Sequence, residues 1–247
     1  MIRLPSIFIT GTDTGVGKTV ITALLALLYQ EAGVKVGLEK PVITGVKAGE
    51  DAALAGDLAF LQKALSTGER PVYSYAFTPA VSPHLAAALA GISIDPARIE
   101  ADHVRLSSRC DAVLVEGAGG LLVPLNDNCL MADLAARLKL PLLIVSRPSI
   151  GTINHTLLTV SCAQARGLEV VGVVINNYPA RPGPAEADNP GAIEKFAGVP
   201  VLAIVPHITS LSVEEAEEGD IQKVARAVDK KFKLLERLSR WREEHVQ

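Results

Sequence analysis

A chain of 247 residues, 49% hydrophobic and only 4% aromatic, has apolar side chains enough for one large α/β domain, and no linker-like stretch divides it. A formal charge of -3, with no long lysine or arginine cluster, argues against nucleic acid as a partner. Cys110, Cys129 and Cys162 have the spacing of neither a zinc site nor a redox pair, and no apolar run suits a signal segment or a membrane span; reduced, mostly buried thiols and a soluble, cytoplasmic protein are expected.

Short apolar runs alternate with longer segments of helical spacing, the pattern of βα units and of a mostly parallel sheet covered by helices on both faces. Residues 6–10 predict a strand. Val20, Leu24, Leu27 and Leu28 then place a helix over 17–32, closed by Gly33. A second strand over 34–39, expected beside the first, ends at Lys40-Pro41. A helix over about 51–65, a proline-containing loop over 71–83 and helices near 83–90 and 96–108 follow. Residues 111–116 read as a buried strand that Gly117-Ala118-Gly119-Gly120 ends sharply. Further strands are expected over 141–146, 169–176 and 199–205, with a helix over 152–166. Residues 181–190, mixing Pro, Gly, Ala and acids, read as a mobile surface loop. Ile221, Val224, Val228, Leu234, Leu235, Leu238 and Trp241 predict one terminal helix over 220–246, packed on the sheet or on a second subunit.

Binding a triphosphate takes inward-pointing backbone N–H groups, a cation that reaches the outer phosphates and a hydroxyl for Mg2+ at a helix start. Gly15, Gly17, Lys18 and Thr19 supply these in order, between a predicted strand and a predicted helix. The general motif has glycine where this chain has Thr12, and the first glycine is displaced to Gly11. Glu116, at the end of a buried strand, is costly to bury without a cation and is expected at the magnesium, with Gly117, Ala118 and Gly119 offering further N–H groups. By residue type Asp51 and Asp57 are equivalent as a second acid, and either can cap a helix. Lys40 is placed either to stabilise charge on a transferred phosphoryl group or to snorkel to solvent. Asn176, followed by Asn177, reads an adenine edge or starts a turn. His84 and His155 lack metal partners at close spacing and fit helix starts.

Taken together, Gly11 to Thr19, Lys40-Pro41-Val42 with Thr44-Gly45, Ser82-Pro83-His84, Val115 to Gly120 and Gly151-Thr152-Ile153-Asn154-His155 resemble the dethiobiotin synthetases, from the first strand to Pro206. The resemblance implies a phosphate-loop NTPase-like single domain, a homodimer, and ATP- and Mg2+-dependent closure of the ureido ring of 7,8-diaminononanoate with CO2, giving dethiobiotin, ADP and phosphate. The implied route runs through a carbamate and its mixed anhydride with phosphate. Lys18 and Lys40 would bracket the γ-phosphate and carbamate, and Thr19, Asp57 and Glu116 would hold Mg2+, the family spacing favouring Asp57 over Asp51. Thr14, Gly15, Val16, Gly17 and Val20 would line the nucleotide with Gly117, Ala118 and Gly119, while Asn176, Asn177, Pro206, His207 and Ile208 would meet the adenine. Thr44 would contact the diamine, where the family often has serine. Gly151, Thr152 and Asn154 would grip its carboxylate tail across the subunit interface. Gly15 departs from the acid that some members carry, and no family motif covers the chain beyond about Asp220. Two rival classes share the phosphate loop: amide ligases joined to a glutamine amidotransferase, for which this chain lacks length and a nucleophile elbow, and partitioning ATPases, whose second lysine near the loop start is threonine at position 12.

Overall fold

The computed structural model describes residues 2–47, 49, 51–52, 56–64 and 70–245. Leu65, the expected end of one helix, and residues 246–247 lie outside them. In chain order the elements are β1 (Ile7–Gly11), α1 (Lys18–Glu31), β2 (Val36–Glu39), β3 (Val42–Thr44), α2 (Gly56–Ala64), β4 (Tyr75–Phe77), α3 (Pro83–Leu89), α4 (Pro96–Ser107), β5 (Ala112–Gly120), β6 (Pro124–Asn126) and β7 (Cys129–Leu130). There follow α5 (Met131–Arg137), β8 (Leu142–Ser146), α6 (Thr152–Ala165), β9 (Val170–Tyr178), α7 (Pro184–Ala197), β10 (Val201–Pro206), β11 (Leu211–Ser212), β12 (Glu217–Glu218), α8 (Ile221–Phe232) and α9 (Leu234–His245).

Six strands form one parallel sheet in the order β10-β9-β8-β1-β5-β2. Helices cover both faces, so β1 and β8 are buried along their whole length and can be apolar throughout. Ile7, Ile9, Val36 and Leu38 face α1, α8 and α9 in one apolar cluster. Phe8, Val113, Val115 and Leu142 belong to the opposite cluster, with Ile99, Leu106 and Leu134. A third cluster joins Ile144, Val173 and Ile175 to Val160 and Ile193. Among the described residues no helix is long and apolar enough to cross a membrane.

Four expectations need correction. β2 does not lie beside β1: the crossover through α1 passes over one strand position, and β5 fills it, pairing with both. β5 does not end at Glu116 but runs through Gly120, with a shift of register opposite Ile9–Gly11. Residues 181–190 are mostly helix, in α7. The Gly183 N–H donates to Glu186 Oε2 at 2.9 Å, Pro184 supplies a pre-set φ in the first turn, and the Tyr178 hydroxyl donates at 2.9 Å to the Glu186 carbonyl, the acceptor that Pro190 cannot serve. The terminal helix is two helices. Lys233 takes a left-handed conformation, φ 56°, while Asp229 accepts the Lys233 N–H on its carbonyl and the Leu235 N–H on its carboxylate, each at 2.8 Å. Both pack on the sheet side through Ile221, Ala225, Val228, Leu234 and Leu238. None of the three cysteines is in a disulfide among the described residues; Cys129 is buried, whereas Cys110 and Cys162 are only half-buried.

Each edge strand is met at one point by another part of the chain. Beside β2, Val72 makes a parallel bridge to Glu39, donating to the Leu38 carbonyl and accepting from the Lys40 N–H, each at 2.8 Å. Beside β10, the Arg237 guanidinium of α9 donates to the carbonyls of Val201 and Leu202 at 3.0 Å.

Candidate functional site

The carboxyl ends of β1, β2, β5, β9 and β10 converge on one cavity of about 680 Å³. β1 delivers the chain into the loop from Gly11, and α1 begins at Lys18 with its first N–H groups unspent and facing the cavity. Gly15 and Gly17 have φ of 74° and 90°, a region open to glycine at little cost. Gly17 is constrained twice, because a Cβ there would collide with the side-chain amide of Asn176. That amide donates to the Val16 carbonyl at 3.0 Å. Asn176 therefore braces the phosphate loop from the end of β9, a role its residue type alone does not reveal.

The charged centre is a cluster around Glu116, whose residue is 1% exposed. Oε1 accepts from Thr19 Oγ1 and from Lys40 Nζ, both at 2.8 Å, and Lys40 Nζ also pairs with Asp57 at the start of α2. The register of β2 on β5 makes this possible: Glu39 lies opposite Val115, so Lys40 emerges level with Glu116. Burial works against the Lys40 ammonium, but Glu116 and Asp57 outweigh it and hold its pKa above the ordinary lysine value. Lys18 goes the other way. Burial, and the Lys40 charge beside it, lower its pKa against the pull of Glu116. Two ammonium groups and two carboxylates thus lie within one partly dry pocket, balanced in charge.

Glu116 Oε2 is buried and has no hydrogen-bond partner among the described residues. A buried carboxylate oxygen left over beside a threonine hydroxyl and a second carboxylate suits a hard cation that keeps water and phosphate in its shell, as Mg2+ does. Among the described residues no group of three or more His, Cys, Asp or Glu side chains could hold a metal. Thr19 and Asp57 are the oxygen-bearing side chains gathered with Glu116 on this wall of the cavity.

Thr14, Gly15, Val16, Gly17, Val20, Gly117, Ala118, Gly119, Asn176, Asn177, Pro206, His207, Ile208 and Thr44 all line this cavity. Gly151, Thr152 and Asn154 do not. They form the start of α6, where Gly151 has φ 93° and Thr152 is buried. Asp51, His84 and His155 are exposed and lie off the cavity wall. Sequence reasoning missed Arg147 and residues 211–214, which also line it. Arg147 Nη2 pairs with Asp13 Oδ2 at 2.6 Å across the rim; its position one residue past a predicted strand end was the available signal. Residues 211–214 carry no motif.

A family model described as an AAA domain matches residues 5–215. The chain is 40% identical over 215 residues to the ATP-dependent dethiobiotin synthetase BioD of Bacillus velezensis, covering 86% of this chain and 91% of that one. Its likeness to the protein of the same name from Anoxybacillus flavithermus is 40% over 209 residues, 84% of this chain and 94% of that one. For the Bacillus subtilis (strain 168) protein of that name it is 37% over 210 residues, 84% and 89%. Among solved structures, the cell division ATPase MinD of Pyrococcus furiosus superposes with a TM-score of 0.54 at 21% identity, covering 99% of each chain. A ParA family ATPase from Chlorobium tepidum gives 0.52 at 18% identity, covering 98% of this chain and 99% of that one. These structural likenesses establish the phosphate-loop NTPase fold and nothing finer.

Proposed function

The chain belongs to the ATP-dependent dethiobiotin synthetases, and from that membership we propose that it closes the ureido ring of 7,8-diaminononanoate with CO2 at the expense of ATP, with Mg2+ in the site. The observation that carries the reading is the cluster of Thr19, Lys40, Asp57 and Glu116 at the mouth of the phosphate loop, with one carboxylate oxygen to spare.

One amine of the substrate adds to CO2 and loses a proton, giving a carbamate. A carbamate oxygen attacks the γ-phosphorus and ADP departs. The second amine then attacks the carbonyl carbon of the mixed anhydride, phosphate leaves, and the ring closes with loss of a proton. Phosphorylation is the step that turns an unreactive carbamate oxygen into a leaving group. Lys18 reaches the outer phosphates from the first turn of α1, and Lys40, held from the opposite side, offsets charge growing on the oxygens in transit. Bound at Thr19, Asp57 and Glu116, Mg2+ would neutralise charge on the triphosphate. Asn177, Pro206, His207 and Ile208 line the cavity and would meet the adenine, and Thr44, also in its lining, would contact the diamine. Because the start of α6 lies off this cavity, Gly151, Thr152 and Asn154 would serve the same reaction from a second subunit, as part of a homodimer.

Purified protein given ATP, Mg2+ and bicarbonate is expected to release ADP, and to form dethiobiotin, only when the diamine is added. Sustained ATP turnover without diamine sinks this reading and favours a nucleotide switch.

A further inference from the structure

Behind the reactive face lies a second charged group that the proposed chemistry does not use. Glu39 is the last residue of β2, with its side chain fully buried on the face opposite Leu38, where α4 packs. His103 of α4 reaches it with Nδ1 2.7 Å from Oε2, and His103 Nε2 lies 3.2 Å from Ser107 Oγ, one helical turn on. Burial pushes the Glu39 carboxyl up, against the hydrogen bond and charge of His103. A buried pair of this kind is weak evidence for stability, because an apolar pair of similar volume often does as well. Its position suggests another use.

The residue after Glu39 is Lys40, where the pairing of β2 with β5 ends and contacts from beyond the sheet edge take over. The Lys40 N–H donates to the Val72 carbonyl, and the Ser74 and Tyr75 N–H groups donate to the Pro41 carbonyl, both at 3.0 Å. Ser74 Oγ in turn donates to Asp102 Oδ2 at 2.7 Å, so adjacent residues of α4, Asp102 and His103, hold both sides of the Lys40-Pro41 corner. Proline removes one N–H and fixes one φ there, so that, beyond the pairing of Glu39 with Val115, these contacts help to set where the lysine stem departs. We propose that Glu39 and His103 form a positioning pair that anchors the end of β2 on α4 and so holds the Lys40 ammonium against Glu116 and Asp57. The pair touches no substrate. Its consequence for turnover rests on the reaction proposed above; its consequence for the order of Lys40 does not.

The test separates geometry from stability. In the double variant Glu39→Leu/His103→Leu the buried charge is removed together with its partner, and thermal stability is expected to be kept. The kcat for dethiobiotin is expected to fall roughly tenfold or more, as for misplacement of a reacting group by about an ångström. The KM for ATP is expected to change less than about twofold, since ground-state binding is untouched. In a Lys40→Ala background the same double substitution is expected to lower kcat no further. Relaxation of isotope-labelled lysine side chains gives a readout that needs no turnover: the Lys40 signal, assigned by its loss in Lys40→Ala, is expected to report an ordered ammonium in the parent and a mobile one in the double variant. Glu39→Gln, which keeps an acceptor for the Nδ1–H at the same length, is expected to retain both order and kcat. A stable double variant with full kcat and an ordered Lys40 overturns the proposal. So does an equal loss of kcat with and without Lys40. If the parent binds ATP but forms no dethiobiotin, the functional reading fails while the lysine order still decides the pair.

Discussion

Lys18 and Lys40 share one pocket and one charge but not one environment. Lys18 stands on the first turn of α1 with burial lowering its pKa, while Lys40 is clasped by two carboxylates that raise its own. A group held that firmly before substrate arrives has little left to gain on binding nucleotide and most to give when charge moves toward it. Lys40→Ala is therefore expected to lower kcat on the order of 10²-fold or more while the dissociation constant for ATP, measured by calorimetry, shifts only slightly. Loss of ATP binding with normal residual turnover would show the lysine to be a ground-state ligand. At this scale much was legible in the chain. Thr19 was placed by the phosphate-loop pattern and Glu116 by the cost of burying a carboxylate on an apolar strand, whereas the sequence left Lys40 open between the reaction centre and solvent. Glu39 did not declare itself, since its partner His103 lies on another element and no spacing links them.

The elements were legible wherever apolar period and punctuation agreed, as in α1 between Lys18 and Gly33. They misled where punctuation was read without its hydrogen bonds. Residues 181–190 read as a surface loop, yet α7 carries Pro190 because the Tyr178 hydroxyl serves the Glu186 carbonyl. Tyr178→Phe is expected to cost about 1 kcal/mol in denaturant-monitored stability by orphaning that carbonyl. An unchanged midpoint would mean that water serves the carbonyl equally well. The break between α8 and α9 left no trace in composition, because a lysine occupies the left-handed position that glycine usually marks. Strand order is further still from local pattern: the insertion of β5 between β1 and β2 depends on a crossover some 70 residues before the inserted strand.

Taken whole, the molecule is one parallel sheet whose reactive groups sit along one end and whose two sides are each occupied by another part of the chain, Val72 at β2 and Arg237 at β10. Arg237→Ala is expected to leave the reaction centre intact and to raise concentration-dependent light scattering, since it bares the Val201 and Leu202 carbonyls. Scattering equal to the parent at every concentration would show that α9 shields that strand without its guanidinium. A sheet met in this way at both edges has less of its ladder of amides and carbonyls to offer a neighbouring copy. A lasting encounter between copies then falls more to side chains, and so can be tuned one residue at a time with less licence to polymerise.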